Sequence, residues 1–269
     1  MERIRPLARK KTPPQPDDWM AMHQEAGQSY EQFRHNVTSP AIQRFSTLRL
    51  VPIGPLSDGQ SRVLQVVRDL LQPFFGLAIV EDPAVPLDSI PEDAQRLFLP
   101  FDPPQLLTSY LLNQVLMTRR QSKDAAVLGI TASDLWPGAG WNYVFGQASL
   151  RERVGVWSMA RNGDADGDDD SQRLCAFRTA KTAIHETGHM FGIRHCIAYE
   201  CGMNGSNHAE ERDRQPLEFC PECQAKLWWT LELDPANRAR SLEAAARKHG
   251  YPQTADDFAK HAALLDSRR

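Results

Sequence analysis

The chain has 269 residues, of which 41% are hydrophobic and 24% charged, and its formal net charge is −3. These values are typical of a soluble globular protein, and the slightly negative charge gives no reason to expect nucleic acid or an anionic membrane surface as the main partner. No run of residues approaches the eighteen apolar positions of a transmembrane helix. The basic N-terminus has no apolar segment behind it, so we expect no secretory signal and a cytoplasmic protein.

The first half of the chain has the pattern of alternating strands and helices. Residues 1–16 carry proline and charge without apolar periodicity and predict a flexible tail, followed by a helix that Asp17 and Asp18 could cap. Beyond them, periodicity predicts strands at 48–54, 76–82, 126–136, 142–150 and 153–160, helices at 58–74 and 105–120, and a proline-rich loop at 83–104. The order βαβαβ followed by further strands predicts a mixed, twisted sheet with helices packed on it.

The second half is predicted to be mainly helical. The acidic run 161–172 is typical of a mobile, solvated loop, and its spacing does not fit a calcium-binding EF-hand. One helix is predicted at 173–191 and, after a cysteine-rich loop, three more are predicted at 221–233, 235–249 and 254–267.

The segment HETGHMFGIRH contains three histidines at spacings that suit one metal ion. His185 and His189 are four residues apart on a predicted helix, so both imidazoles lie on one face. His195 is ten residues past His185, about 15 Å along a straight helix, and reaches the same ion only if the chain turns back. Gly192 permits the left-handed backbone that such a turn requires.

Three histidine ligands leave one position of a tetrahedral zinc ion open, which is the arrangement of a catalytic site. Glu186, next to the first histidine, is rotated about 100° around the helix and is poised to contact a water at the metal. It would take the proton of that water and pass it to the leaving amine. The alternatives are histidines without a metal and a purely structural zinc.

The four cysteines Cys196, Cys201, Cys220 and Cys223 lie within 28 residues as two closely spaced pairs. In a reducing compartment this clustering favours a closed, structural Cys₄ zinc site, and the alternative is disulfides or free thiols. Cys175 stands apart and is predicted to be a small buried side chain.

Together these motifs resemble a known family. HExxHxxGxxH is the metzincin signature, and its continuation through the four cysteines resembles the archaemetzincins, a group of zinc metallopeptidases. The segments that look like core strands of that family are LGITASDLW, YVFGQAS and RVGVWSMAR. The resemblance covers roughly residues 47–233 and implies an α+β metzincin fold, with a twisted mixed sheet, an active-site helix and a small Cys₄ zinc-bearing part towards the C-terminus.

The resemblance also implies roles for single residues. His185, His189 and His195 match the catalytic zinc ligands, Glu186 matches the general base, and the four cysteines match the ligands of a second zinc ion. Met203 matches the methionine of the Met-turn beneath the metal. In metzincins an edge strand pairs with extended substrate, and the candidate strand here is 142–150. The expected domains are an N-terminal tail and helix (1–46), a catalytic domain (47–233) and a helical extension (234–269).

The predicted function is therefore zinc-dependent hydrolysis of peptide bonds, by an endopeptidase or an aminopeptidase-like enzyme with two zinc ions per chain. The alternative is a zinc-stabilised module that binds peptides with little turnover, although a site kept only for binding has no need of Glu186. A nucleic-acid-binding zinc ribbon is disfavoured by acidic residues in the cysteine-rich loop. We expect a monomer that acts on a peptide or protein substrate, without nucleic acid or membrane partners.

Overall fold

A computed structural model describes residues 2–36, 45–98, 101–149 and 151–266. Its strands are β1 (Thr47–Ile53), β2 (Ala78–Glu81), β3 (Gln95–Phe98), β4 (Phe101–Leu107), β5 (Asp124–Thr131), β6 (Leu135–Trp136), β7 (Gly146–Ser149) and β8 (Val154–Ser158). Its α-helices are α1 (Trp19–Met22), α2 (Tyr30–Asn36), α3 (Asp58–Phe75), α4 (Thr108–Tyr110), α5 (Asp169–Met190), α6 (Ala209–Arg214), α7 (Pro221–Leu231), α8 (Pro235–Lys248) and α9 (Pro252–Asp266). Within these residues, no helix combines the length and the apolar character needed to cross a membrane.

The chain divides into two compact units. The first, which we call the sheet unit, comprises Arg44–Arg68 and Leu77–Met190. The second, which we call the cysteine unit, comprises Met1–Gln43, Asp69–Gly76 and Phe191–Arg269.

The sheet unit is built on a five-stranded sheet with the order β2-β1-β5-β8-β7. β1 pairs in parallel with β2 and β5, β5 pairs in parallel with β8, and β7 lies antiparallel to β8 at the edge. Every residue of the central strand β5 is buried, as expected for a strand covered on both faces. A second sheet has the order β3-β4-β6. The predicted mixed, twisted sheet is confirmed.

Several predicted elements of the sheet unit have different boundaries. The strand predicted at 142–150 begins at Gly146, the helix predicted at 173–191 begins at Asp169, and the loop predicted at 83–104 contains β3. The helix predicted at 105–120 begins three residues later, because Leu106 and Leu107 belong to β4 and pair with β6. It continues from α4 as a π-helix at Leu111–Leu116 and a 3-10 turn at Met117–Arg119. The strand predicted at 126–136 is two strands, β5 and β6. The ends of two predicted elements, residues 150 and 267, lie outside the described residues.

The acidic run 161–172 is not simply a solvated loop. The Asp166 carboxylate accepts hydrogen bonds from the Ser57 hydroxyl at 2.7 Å and from the Gly59 backbone N–H at 3.0 Å. These donors lie at the start of α3, where a helix leaves backbone N–H groups unpaired and favours negative charge. Nearby Ala165 is buried. The run therefore caps a helix, a role that its composition does not reveal.

The N-terminal segment of the cysteine unit also differs from its prediction. Residues 2–7 form a 3-10 helix in which Ile4 is fully buried, so the flexible tail is wrong for this stretch. The single helix expected after Asp18 is two short helices, α1 and α2. Between them Gly27 has a φ of +64°, a conformation that interrupts a right-handed helix. The three C-terminal helices α7, α8 and α9 confirm the prediction.

A buried arginine joins the central strands of the sheet unit. Arg49 on β1 donates from Nε to Asp124 on β5 at 2.7 Å and also pairs with Asp82. Its side chain is 7% exposed and that of Asp124 is 1% exposed. The hydrogen bond to Asp124, together with the one to Asp82, raises the pKa of Arg49 despite its burial. The buried guanidinium of Arg49 thus stays charged because two carboxylates accept its hydrogen bonds.

We expect Asp124→Asn to lower the free energy of unfolding by about 3 kcal/mol, because it leaves a buried guanidinium short of negative charge. Glu81→Gln is the control, since Glu81 pairs with Arg68 at a site where both side chains are about one third exposed. That change should cost less than about 1 kcal/mol. Denaturant titration of the two variants measures the difference, and equal effects would contradict a special role for the buried pair.

Candidate metal centres

The helix α5 holds the first two histidines on one face. It ends at Met190, and Gly192 follows with a φ of +83°, so the predicted left-handed turn is confirmed. The rings of His185 and His189 are perpendicular, with centroids 4.6 Å apart. Their Nε2 atoms are 3.0 Å apart.

All three histidines of this eleven-residue stretch come together. One ring nitrogen of each of His185, His189 and His195 lies within 4.8 Å of the others. Two nitrogens on a tetrahedral zinc ion are about 3.4 Å apart, given bond lengths near 2.1 Å. The spacing and the all-imidazole donor set therefore fit a zinc ion, and we call these residues the histidine cluster.

Glu186 is held against the sheet rather than in the histidine cluster. It is 8% exposed, and burial raises the pKa of its carboxyl to about 8. A cation nearby would act in the opposite direction, because it favours the charged carboxylate. Gly146 on β7 touches this side chain: a methyl group on Gly146 would lie 2.9 Å from Cγ of Glu186 and 3.0 Å from its Oε1. The glycine thus leaves the space in which the carboxylate sits.

The four predicted cysteines also come together. The sulfur atoms of Cys196, Cys201, Cys220 and Cys223 all lie within 4.8 Å of one another. Those of Cys196 and Cys220 are 3.7 Å apart, close to the value of about 3.8 Å between two sulfurs on a tetrahedral zinc ion and far beyond a disulfide bond. None of these four cysteines forms a disulfide bond, and Cys175 is buried as predicted. The donor set fits a closed zinc site.

The electrostatics of this cysteine cluster call for a cation. Hydrogen bonds from the neighbouring thiols, first that of Cys201, lower the pKa of Cys196. Burial raises the pKa of Cys201, and the hydrogen bond with Cys196 raises that of Cys223. One negative charge shared among buried sulfurs thus prevents the others from ionising, and a divalent cation removes this restriction.

The turn that carries the first cysteine pair is fixed by Asn204. Its side-chain amide donates to the carbonyls of Cys196 at 2.6 Å and Tyr199 at 2.9 Å, and its oxygen accepts from the Cys201 N–H at 2.9 Å. Met203, the candidate Met-turn residue, is fully buried, and its carbonyl accepts from the Cys196 N–H at 2.8 Å. The sequence did not single out Asn204, since one asparagine in a loop carries no distinguishing pattern.

Two residues of the N-terminal segment that sequence reasoning missed contact the third histidine. Glu25 Oε1 lies 2.7 Å from Nδ1 of His195. The indole of Trp19 meets the same ring edge-on, with centroids 5.3 Å apart. Glu25 precedes His195 by 170 residues and belongs to no motif, so no signal in the sequence could have found it.

A third group with possible metal-ligand atoms is Asp18, His208 and Glu211. Its oxygens already have partners in the protein. The Glu211 carboxylate accepts from the backbone N–H groups of Trp19 and Asn207, and Asp18 pairs with the Arg214 guanidinium at 2.5 Å. Burial opposes ionisation of Asp18, but hydrogen bonds from Gln15 and Arg214 hold its pKa below the ordinary value. This group anchors the N-terminal segment.

The chain is similar to known proteins over most of its length. The model of Peptidase family M54 matches residues 103–228. Archaemetzincin-2 of Pongo abelii is 31% identical over 264 residues, which cover 84% of this chain and 71% of that protein. The crystal structure of archaemetzincin from Methanopyrus kandleri has a TM-score of 0.57 and 29% identity, covering 71% of this chain and 97% of that one. That of Archaeoglobus fulgidus archaemetzincin, complexed with malonate, has a TM-score of 0.51 and 27% identity, covering 67% and 99%.

Shared sequence and shared fold thus agree with the chemistry of the donor sets, and the protein is a zinc metallopeptidase. The similarity to archaemetzincin-2 extends over far more of the chain than the metal-binding segment. The chain belongs to the archaemetzincin family.

The contact between Gly146 and Glu186 gives a prediction. Gly146→Ala should reduce turnover of a peptide substrate by about ten- to a hundredfold with zinc content unchanged. The added methyl would displace Glu186, which the sequence predicts to be the general base, and small displacements of such a group are costly. The control is Gly167→Ala, whose added methyl would meet the side chains of Asp164 at 3.0 Å and Ser171 at 3.1 Å, away from Glu186. Steady-state kinetics and zinc analysis of both variants provide the test, and equal turnover would show that Glu186 tolerates the displacement.

Proposed function

We propose that His185, His189 and His195 hold a catalytic zinc ion and that Glu186 is the general base in the hydrolysis of a peptide bond. The observation that carries this proposal is the histidine cluster, together with the buried carboxylate of Glu186 on the helix that holds His185 and His189. Zinc, when bound there, supplies Lewis acidity that makes water a nucleophile near neutral pH.

Glu186 performs the proton transfers of the proposed reaction. Its carboxylate takes a proton as the water oxygen adds to the peptide carbonyl carbon. It then returns the proton to the amide nitrogen as the carbon–nitrogen bond breaks, giving a carboxylic acid and an amine. Because the three histidines would supply the zinc ligands, Glu186 is available for proton transfer. Gly146 on β7 leaves the space that the Glu186 side chain occupies.

The edge strand β7 is the proposed docking site for substrate. It pairs with β8 on one side only, so an extended peptide can add to its other side through main-chain hydrogen bonds. Gly146, its first residue, touches Glu186, so a peptide paired with β7 would pass beside the general base. Recognition through the main chain favours peptides or unfolded protein segments of varied sequence.

A substrate peptide should therefore slow amide hydrogen exchange in residues 146–149. The measurement uses the Glu186→Gln variant with excess peptide, so that the peptide is not consumed. The edge strand β2, at the other side of the same sheet, is the internal control and should be unaffected. Protection elsewhere with none in β7 would contradict this docking site.

The second zinc ion, at the cysteine cluster, is proposed to be structural. Four sulfur ligands leave no open position for substrate, and the binding energy of such a site stabilises the fold. Four free thiols in one site also suit a reducing compartment, which supports a cytoplasmic location. The signature HExxHxxGxxH supports a place in the metzincin clan. We also propose that the enzyme is a monomer and that its substrate is a peptide or a protein.

The function is tested by Glu186→Gln. We expect both the wild type and this variant to contain two zinc ions per chain, whereas turnover falls by about a hundredfold or more because the variant has lost its base. Glu210→Gln, at an exposed position of α6, should retain full activity. A peptide library assayed with and without a chelator provides the rate. Undiminished hydrolysis by the Glu186→Gln variant contradicts the role of the base, and one zinc ion per chain contradicts the second site.

A further inference from the structure

Residues 17–30 form a segment of the cysteine unit that we call the N-terminal strap. It lies outside residues 103–228, which the family model matches. The strap is tied down at both ends and in between. Its backbone and side-chain hydrogen-bond partners within the unit include Gly192, Arg194, Asn207, Glu211, Glu222 and Lys226.

Gln28 fixes the strap directly to the turn that precedes the third histidine. Its side-chain N–H donates to the Gly192 carbonyl at 3.2 Å, and its oxygen accepts from the Arg194 N–H at 3.2 Å. Gly27 packs so closely on Ile197 that a methyl group there would lie 2.8 Å from the isoleucine side chain. The strap therefore follows the chain on both sides of His195.

Within this frame Glu25 is placed on the Nδ1 side of the His195 ring, at 2.7 Å. The two side chains are 24% and 18% exposed, so the contact is only partly screened by water. Glu25 is not a member of the histidine cluster. The carboxylate therefore stands behind the ring, at the nitrogen that the metal does not use when Nε2 is the ligand.

We propose that Glu25 is a positioning residue for His195, a role that rests on the proposed function of His195 as a zinc ligand. By accepting a hydrogen bond from Nδ1–H, the carboxylate fixes the tautomer in which Nε2 carries the free lone pair, and it makes that nitrogen a stronger donor. Trp19 limits rotation of the same ring from a second direction.

His195 needs this support more than the other two histidines do. His185 and His189 belong to the 22-residue helix α5, whose backbone fixes the direction of both side chains. His195 follows the turn at Gly192 and lies outside any helix or strand. Contacts with the N-terminal strap therefore fix the orientation of the His195 side chain, which the local backbone does not fix.

Zinc affinity of the histidine cluster, rather than activity, tests the inference. Removal of a carboxylate that orients a metal-bound histidine typically weakens binding by about ten- to a hundredfold. We expect a loss of that size in Glu25→Ala. The loss should be smaller in Glu25→Gln, whose amide oxygen can still accept from Nδ1–H. The matched control is Glu31→Gln at an exposed position of α2, which should bind zinc as the wild type does.

The experiment uses the full-length holoprotein, with release of zinc to a chromophoric chelator followed over time. The zinc at the cysteine cluster serves as the internal reference and should not change. Cobalt(II) substituted at the histidines should show an altered visible spectrum in Glu25→Ala only. Wild-type affinity in Glu25→Ala overturns the inference, and so does an equal loss of zinc from both clusters, which would indicate a general structural defect.

The outcome is separable from that of the proposed function. A wild-type protein that binds zinc at the histidines but hydrolyses no peptide contradicts the function, while a specific effect of Glu25→Ala on zinc affinity still supports the positioning role. Conversely, an active enzyme with an unaffected Glu25→Ala variant supports the function and overturns the positioning role.

Discussion

The reversal of the chain at Gly192 is the constraint on which the histidine cluster depends. A helix presents residues four apart on one face, but a third ligand ten residues on is about 15 Å away along a straight axis. The helix ends at Met190, and two residues later Gly192 has a left-handed backbone with a φ of +83°, which turns the chain back. Any side chain at this position would strain that conformation. The glycine therefore favours the backbone reversal that brings His195 to the other two histidines.

Ending the helix creates a second requirement, because the returning chain has no regular structure to hold it. Contacts from distant parts of the sequence meet this requirement. Asn204 binds the carbonyl of Cys196, and Gln28 binds the backbone of Gly192 and Arg194. The cysteine cluster begins at Cys196, next to the last histidine. Adjacent residues thus belong to different donor sets, and a closed site that fixes Cys196 also limits where His195 can lie.

Spacing within the sequence was sufficient to predict that the three histidines and the four cysteines form two clusters, because the members of each are close in the chain and their residue types are specific. The sheet was also predictable, since its strands are apolar and separated by turns. The segment 105–107 was not, because a short apolar run fits a buried strand as well as a helix until its partner β6 is known. Glu25 and Gly146 were out of reach for a related reason: each acts on a residue that is distant in sequence, and neither belongs to a periodic pattern.

The burial of Glu186 links the charge of its carboxyl to the metal site that begins on the same helix, α5. A carboxylate in a dry environment favours protonation, as the pKa of about 8 shows, and a protonated carboxyl is a poor base. The same burial strengthens its interaction with a nearby cation, because little water screens the charges. A zinc ion at the adjacent histidines would thus favour the ionised form of Glu186, which is the form that the proposed general base requires. In the protein without metal, burial favours the protonated carboxyl, so the proposed base depends on the metal for its charge.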